Sequence, residues 1–343
     1  MLDARRQMRA HLLLIATRDN ESMIASKGLS CREVTTVYVH REGPAMRVYT
    51  AAIAVLMSVQ PAMSRGQAPQ APQAGAPLPA PWDSVGKTLK TSGTLTGGYY
   101  RYGWPRRDIT LKIGDVTVAP ALALGAWAGF AGEPNAATMM GDLVLTTDEV
   151  KPVLAELANQ RIGVTAIHNH VAGAPQVTYV HFHADGDALD LATRLDRVLA
   201  RTSTPRPPAP PASQPVTIDT ALVFGTLGLR GRAQGNIAQL STVLVPGVVT
   251  MDGRTLNPAQ AYGTPINIQM LDGGRAVATG DFSITGDKVS AVLGALTAHG
   301  ITATALHSHL IGEQPRIYYM HFWADAPLGD LLKGLRAALD AAR

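Results

Sequence analysis

Cysteine is nearly absent from this sequence of 343 residues, in which Cys31 is the only one. A single cysteine excludes an internal disulfide and any zinc or iron–sulfur site built on several thiolates. Aromatic residues make up 5% of the chain and charged residues 16%, whereas apolar residues make up 46%. This composition is typical of a globular protein, and the length is sufficient for two ordinary domains.

Positive charge is scarce outside the beginning of the chain. The formal net charge is +4, and residues 1–66 carry nine lysine and arginine residues against five acidic ones. The remainder therefore has no net charge and no basic run. Because nucleic-acid phosphates require clustered cationic side chains, we expect no nucleic-acid partner.

No apolar run is long enough to span a bilayer, and we expect no membrane span. The longest, at residues 48–59, comes after an arginine and precedes small residues at 62–64. This pattern is typical of a secretory signal peptide. It predicts a start at Met46, a signal peptide at 46–64, an upstream extension at 1–45, and export to the periplasm or the medium. The alternative is a poorly ordered N-terminal region with a buried apolar helix at 48–59.

Two proline-rich stretches divide the rest of the chain. The first is a Pro/Ala/Gln linker, and the second separates two segments of similar length. The predicted organisation is a linker at 65–81, a first repeat unit at 82–203, a linker at 204–217 and a second repeat unit at 218–343.

The two units are related by an internal duplication. Short motifs recur in the same order with an offset near 139: 140–146 matches 279–285, His168-Asn169-His170 matches His307-Ser308-His309, and Tyr179-Val180-His181-Phe182 matches Tyr319-Met320-His321-Phe322. We therefore predict the same fold in both units, packed together with pseudo-twofold symmetry.

Each unit combines strands with helices. Helical spacing of apolar residues predicts a helix at 148–159 and its counterpart from Val289, each leading to two strands joined by a Gly/Pro loop. Closing helices are predicted at 188–200 and 328–342, and β-like segments at 109–118 and 242–251. The expected class is α+β, a β-rich unit with an αββα end, in tandem duplication.

Histidines are concentrated in the repeated strand pair. Alternate residues of a strand project to one face, so each His-x-His pair and a histidine of the next strand can share a face. Imidazole nitrogens are zinc ligands, and with no cysteine available a histidine set is the natural choice. The sequence predicts a zinc site in the β-hairpin of each repeat, with the ligands His168, His170 and His181 and their counterparts His307, His309 and His321.

The loops after the His-x-His pairs differ. The second contains Glu313 and Arg316, whereas the first has Ala174 and Gln176 in the corresponding segment. Glu313 is a candidate general base or fourth ligand, and Arg316 a candidate binder of an anionic substrate group. The alternative is an ordinary Glu–Arg pair that fixes a surface loop. The segment 99–108, rich in aromatics and arginine, is a further candidate for a sugar or anion cleft.

Four segments together resemble a known family. They are Pro105-Arg106-Arg107-Asp108, Met140-Gly141-Asp142-Leu143-Val144-Leu145, His168-Asn169-His170 and Pro315-Arg316-Ile317-Tyr318-Tyr319-Met320-His321-Phe322-Trp323. Over residues 82–343 the chain resembles the LppY/LpqO family of exported bacterial proteins. The resemblance implies export and a duplicated domain, but no activity. Family members usually have Glu and Arg in the first loop as well, and Ala174 and Gln176 depart from this. Some members are lipoproteins, but no cysteine comes after this signal, so a lipid anchor is not expected.

These features are consistent with three hypotheses for function. The first is an exported metal-dependent hydrolase, and the spacing of His168, His170 and His181 is similar to that in the zinc site of acetolactate decarboxylases. The second is a non-catalytic envelope module that binds a ligand or has a structural role, with structural histidines. The third is metal storage or delivery.

Overall fold

The computed structural model describes residues 36–42, 45–51, 78–208 and 214–343. The chain divides into two compact units, residues 1–70 and 71–343. In the first unit, strands β1 (Thr36–Glu42) and β2 (Ala45–Ala51) form an antiparallel hairpin. Residues 52–64 of the expected signal peptide, most of the expected upstream extension and nearly all of the 65–81 linker lie outside the described residues.

The second unit contains both repeats. The elements of the first repeat are α1 (Ala80–Leu89), β3 (Gly93–Thr96), β4 (Tyr99–Pro105), β5 (Lys112–Ile113), β6 (Val116–Thr117), α2 (Pro120–Ala123), β7 (Gly125–Ala131), β8 (Ala137–Thr146), α3 (Thr147–Asn159), β9 (Gly163–His168), β10 (Val177–Gly186) and α4 (Ala188–Leu199).

The second repeat has its elements in the same order. They are α5 (Thr220–Leu227), β11 (Gly231–Gln234), β12 (Ile237–Thr242), β13 (Thr250–Met251), β14 (Arg254–Thr255), α6 (Pro258–Ala261), β15 (Thr264–Met270), β16 (Arg275–Thr285), α7 (Val289–Ala298), β17 (Thr302–His307), β18 (Ile317–Pro327) and α8 (Leu328–Ala341).

Each repeat contains a six-stranded antiparallel sheet with the same connectivity. The strand order is β3-β4-β7-β8-β10-β9 in the first sheet and β11-β12-β15-β16-β18-β17 in the second. The long strands β8 and β10, like β16 and β18, pair over almost their whole length. The predicted α+β duplication is confirmed at this level.

Local sequence signals explain where the helices lie. Helix α3 begins with a capping box, in which Glu149 accepts from the backbone N–H of Thr146. Helix α4 is capped by Asp187, whose carboxylate accepts from the backbone of Leu189 and Asp190. The predicted helices at 148–159, 188–200 and 328–342 are present within a residue or two.

The β-like segments at 109–118 and 242–251 differ from the prediction. Each contributes only two-residue strands to small hairpins outside the main sheets, apart from Thr242 at the end of β12. The turns explain this difference, because Gly114 and Asp252-Gly253 adopt positive φ and reverse the chain after two residues.

The repeats pack against each other through long-range hydrogen bonds and apolar contacts. Gln269 donates to the carbonyl of Thr117 and accepts from the N–H of Ala119, while Asn267 donates to the carbonyl of Leu122. Gln260 is buried and donates to the carbonyls of Gly129 and Thr138. Because a buried amide without partners is costly, these bonds specify how the repeats dock.

A glycine allows close strand approach in the middle of each sheet. A Cβ at Gly141 would lie 2.3 Å from the carbonyl oxygen of Trp127, and one at Gly280 would lie 2.0 Å from that of Pro265. The neighbouring backbone cannot yield without breaking the strand pairing. Both glycines precede an aspartate of the candidate functional site.

We predict that Gly141→Ala and Gly280→Ala each lower the free energy of unfolding by about 1–3 kcal/mol, because they force the strands apart. Gly294→Ala is the matched control, since nothing lies within 4 Å of its Cβ position in helix α7. It should raise stability by about 0.5–1 kcal/mol. Urea unfolding monitored by circular dichroism measures both, and equal effects of the three substitutions would contradict the explanation.

Candidate functional site: a shared histidine cluster

Six histidines come from equivalent positions of the two repeats. His168 and His307 are the last residues of β9 and β17, and His170 and His309 lie two residues further along. The remaining two lie in the middle of β10 and β18 and are His181 and His321. The His-x-His pairs therefore lie where an edge strand runs into its loop, beside the long neighbouring strand.

The six rings form one cluster across the contact between the repeats. The ring centroids of His168 and His307 are 3.9 Å apart, those of His170 and His321 are 3.9 Å apart, and those of His181 and His309 are 3.8 Å apart. The sequence predicted a separate set in each hairpin, whereas the structure places both sets together. The contacts are reciprocal. His170 is equivalent to His309, and His181 to His321, so the pairs His170–His321 and His181–His309 are the same contact made in the two directions.

The nitrogens of the second-repeat histidines converge. The Nε2 of His321 lies 3.2 Å from the Nε2 of His309 and 3.3 Å from the Nε2 of His307. His321 is fully buried and His309 nearly so. The Nε2 of His321 therefore lies beside the Nε2 atoms of both other rings.

Two aspartates that the sequence reasoning did not single out complete the cluster. Asp142 and Asp281 are the cross-strand partners of His181 and His321 in the sheets. The carboxylate of Asp281 contacts Nδ1 of His321, and Oδ1 of Asp142 lies 3.7 Å from Nε2 of His181. The repeated Gly-Asp pair at 141–142 and 280–281 was the available signal. Such carboxylates orient imidazole ligands.

A tyrosine supports one ring in each repeat. Tyr179 stacks on His170 with ring centroids 3.6 Å apart, and Tyr319 stacks on His309 at 3.8 Å. The tyrosine hydroxyls donate to the carbonyls of Ala123 and Ala261, at 2.7 and 2.8 Å. Each ring is thus held at one face by an aromatic side chain that is itself fixed.

Burial favours the neutral form of five of the six imidazoles. Loss of solvation, and after it the proximity of the other histidines, lowers the pKa of His168 and sets the pKa values of His170, His181 and His309 well below the ordinary value. The same two causes lower the pKa of His307 to about 4. Neutral imidazole is the form that binds metal ions.

Three sets of side chains could hold a metal ion, each with its ligand atoms within 4.8 Å of one another. All three combine histidines from both repeats. The sets are His168, His170, His181 and His309; His168, His307, His309 and His321; and His170, Asp281 and His321.

Glu313 and Arg316 lie together in the loop after His309. Glu313 is fully buried, and its Oε1 accepts from the N–H of Ile317 at 3.0 Å and from the hydroxyl of Ser308 at 3.4 Å. The Nε of Arg316 is 3.5 Å from the same oxygen, on a half-exposed side chain. Glu313 belongs to none of the three candidate metal sets among the described residues.

Arg101, from the aromatic segment 99–108, lies at the border of the cluster. Its guanidinium is 4.1 Å from the ring centre of Trp127, and Trp127 is the cross-strand partner of Asp142. Arg101 also donates to the hydroxyl of Tyr99, and Arg232 of the second repeat donates to Gln239. Neither arginine forms an ion pair within the described part of the chain.

Two other histidines of the repeats are not in the cluster. His183 lies two residues after His181 on β10, and its Nε2 is 3.3 Å from Asp185. His299 bonds to the carbonyl of Ala295 at the end of helix α7. His183 provides a comparison on the same strand.

Comparison with protein families identifies both repeats. Residues 83–201 and 223–341 each match one family model, which together is well over half of the chain. The chain belongs to the family described as Domain of Unknown Function (DUF1259). Two copies of this domain account for the duplicated fold, and the family description carries no activity.

No curated protein matches the chain significantly. Among solved structures, a trimeric bacterial microcompartment shell protein, PduB, matches with 10% sequence identity and a TM-score of 0.20. The match covers 74% of this chain and 91% of the PduB chain. EtuB from Clostridium kluyveri matches with 13% sequence identity and a TM-score of 0.18, and the match covers 74% of this chain and 90% of the EtuB chain. TM-scores this low do not indicate a shared fold.

Among the described residues, no helix combines the length and hydropathy needed to cross a membrane.

We predict that the metal-free protein loses stability as the pH falls below 6.5. The unfolded chain binds a proton at each histidine near pH 6.5, whereas folded His307 binds one only near pH 4, and burial sets the pKa of His309 well below its ordinary value. The unfolded state therefore binds more protons in this window. Each such histidine lowers the free energy of unfolding by up to about 1.4 kcal/mol for each unit by which the pH falls.

Urea unfolding of chelated protein at pH 7.5 and 5.5 measures this effect. His309→Gln should reduce the pH dependence, and His299→Gln, which changes a histidine outside the cluster, should leave it unchanged. A free energy of unfolding that is equal at both pH values would contradict the expected neutral cluster.

Proposed function

We propose that this protein is a zinc-dependent hydrolase whose metal centre is built by both repeats. The observation that carries the proposal is the position of Nε2 of His321 beside the Nε2 atoms of His307 and His309. In tetrahedral zinc sites the metal–nitrogen distance is about 2.0–2.1 Å, which places ligand nitrogens about 3.3–3.4 Å apart. The distances of 3.2 and 3.3 Å agree with that spacing.

Hydrogen bonding alone does not account for this arrangement. The carboxylate of Asp281 at Nδ1 of His321 favours a proton on Nδ1, which leaves Nε2 with one lone pair. One lone pair cannot satisfy two neighbouring ring nitrogens at 3.2 and 3.3 Å. A cation between the three nitrogens removes the conflict, because all three can then be ligands.

The residues around the cluster suit hydrolysis. A bound zinc ion supplies Lewis acidity and lowers the pKa of water to about 7. In hydrolysis, the water oxygen forms a bond to the acyl carbon, the bond to the leaving oxygen breaks, and the water protons go to the two products. Asp142 is placed to accept and return a proton, since its Oδ1 is buried and has no hydrogen-bond partner.

Glu313 was the predicted base, and its surroundings favour a positioning role. Its Oε1 is engaged by the backbone of Ile317 and by Ser308, which fixes the loop that carries His309. We propose that Glu313 holds this loop and that Asp142 acts at the reacting water.

Zinc content and hydrolysis should be lost together. We predict that His309→Ala prevents zinc binding at the site of His307, His309 and His321 and lowers kcat/KM by more than the 10–100-fold that is typical of losing a residue that supports a ligand. Elemental analysis of untagged protein and a panel of small esters, lactones and 2-oxo acids measure both. His299→Ala is the control. A wild-type protein that folds normally without metal and shows no hydrolysis would contradict the proposal and favour structural histidines.

The unpaired arginines support a substrate with an anionic group. Arg101 stacks on Trp127 beside Asp142, whereas Arg316 is already engaged by Glu313. An arginine without a carboxylate partner is free to bind a substrate carboxylate or phosphate.

We predict that Arg101→Met raises KM for an anionic ester about 10–100-fold, since one charge-assisted bond contributes about 1.5–3 kcal/mol, and leaves a neutral ester unaffected. Arg316→Met is the matched control and should change neither value by more than twofold. Steady-state kinetics with the two esters measures this, and equal KM changes for both esters would exclude the role.

We also propose that the protein is an exported member of the LppY/LpqO group and that its repeats are related by a pseudo-twofold axis. The reciprocal ring contacts support the symmetry, and the apolar run at 48–59 supports export. We predict that N-terminal sequencing of the exported protein gives a first residue near Arg65. A mature chain that retains residues 48–59 would contradict export through this signal.

A further inference from the structure

The first-repeat histidines keep unused ligand atoms after the proposed zinc site is formed. Among the described residues, the buried polar atoms without a hydrogen-bond partner include both ring nitrogens of His168, Nε2 of His170, Nε2 of His181 and Oδ1 of Asp142. A buried polar atom without a partner costs about 1–3 kcal/mol. A single ion at His307, His309 and His321 satisfies none of these.

We propose that the cluster binds two metal ions side by side, the second held by His168, His170 and His181 of the first repeat. This inference rests on the proposed function and deepens it, since it makes the centre dinuclear. The three rings belong to one of the sets whose ligand atoms lie within 4.8 Å of one another, and that set also includes His309.

Equivalent surroundings support the second position. His181 has Asp142 across the sheet as His321 has Asp281, and His170 is stacked on Tyr179 as His309 is stacked on Tyr319. The first repeat thus contains the counterparts of the aspartate and the tyrosine beside the ligands of the second repeat, whereas its loop has no counterpart of the Glu313 carboxylate.

The two positions are adjacent in the cluster. His168 and His309 each belong to both four-histidine sets, and the ligand atoms of each set lie within 4.8 Å of one another. Metal ions in two-metal hydrolytic sites are about 3.5–4 Å apart, where they act on the attacking and leaving oxygens together.

Charge also favours two ions. Asp142 and Asp281 bring two carboxylates to the cluster, as the cross-strand partners of His181 and His321. Six imidazoles and two carboxylates form a donor set that suits two divalent cations.

The test is metal titration of the full chain after chelation. Isothermal titration with Zn²⁺ should give two equivalents per chain in the wild type. His181→Ala and His321→Ala should each give one equivalent, and His183→Ala should keep two, because His183 lies on the same strand outside the cluster. His181→Gln repeats the first measurement if the alanine variant does not fold.

Electron paramagnetic resonance of protein loaded with Mn²⁺ tests whether the ions are adjacent. We expect an exchange-coupled signal in the wild type and an uncoupled signal in His181→Gln. One equivalent of zinc in the wild type, or two without coupling, would overturn the dinuclear centre and leave the proposed hydrolase standing. No zinc binding at all would overturn both.

Discussion

The unmet hydrogen-bonding capacity of buried imidazoles governs the centre of this protein. Each ring nitrogen that is removed from water needs a partner, and the cost of leaving one without is about 1–3 kcal/mol. The fold nevertheless collects six imidazoles and two carboxylates where protein atoms supply few partners. Such a concentration of unpaired ligand atoms is what a metal site requires, and three sets of these side chains could hold a metal ion.

The architecture explains why the cluster lies where it does. In each sheet the edge strand, β9 or β17, ends at a histidine, and the long strand beside it supplies the third ring. Inter-repeat bonds then place the two strand ends against each other, and Thr304 of β17 donates to the carbonyl of His170. Rigid strands position four of the rings, and the tyrosine stacks position the two that lie in loops.

Much of each repeat could be predicted from local sequence. The helix at 148–159 is indicated by apolar spacing and a capping signal. These features depend on residues close in the chain. The His-x-His pairs, predicted to lie within a strand, instead extend past its end, since β9 ends at His168 and β17 at His307. The short strands within 109–118 and 242–251 could not be predicted in this way, because Gly114 and Gly247 adopt positive φ inside what reads as one β-like segment.

The joining of the two histidine sets depends on contacts between residues over 130 positions apart. Gln260, Asn267 and Gln269 specify the docking, yet in the sequence they look like ordinary polar residues of a loop or strand. For the same reason Asp142 and Asp281 were recognised as part of a repeat and not as part of a site. Their role becomes visible only when the strand register places each one opposite a histidine.

The division of the cluster between the repeats has an evolutionary consequence. One repeat alone supplies three rings, so an ancestral single-repeat chain would complete the six-ring cluster only as a homodimer. Fusion of two copies replaced a concentration-dependent association with a permanent one. It also freed the halves to diverge. In the first repeat, Arg106 is fully buried between Asp108 and Glu149. In the second repeat, Lys288 occupies the position that corresponds to Glu149.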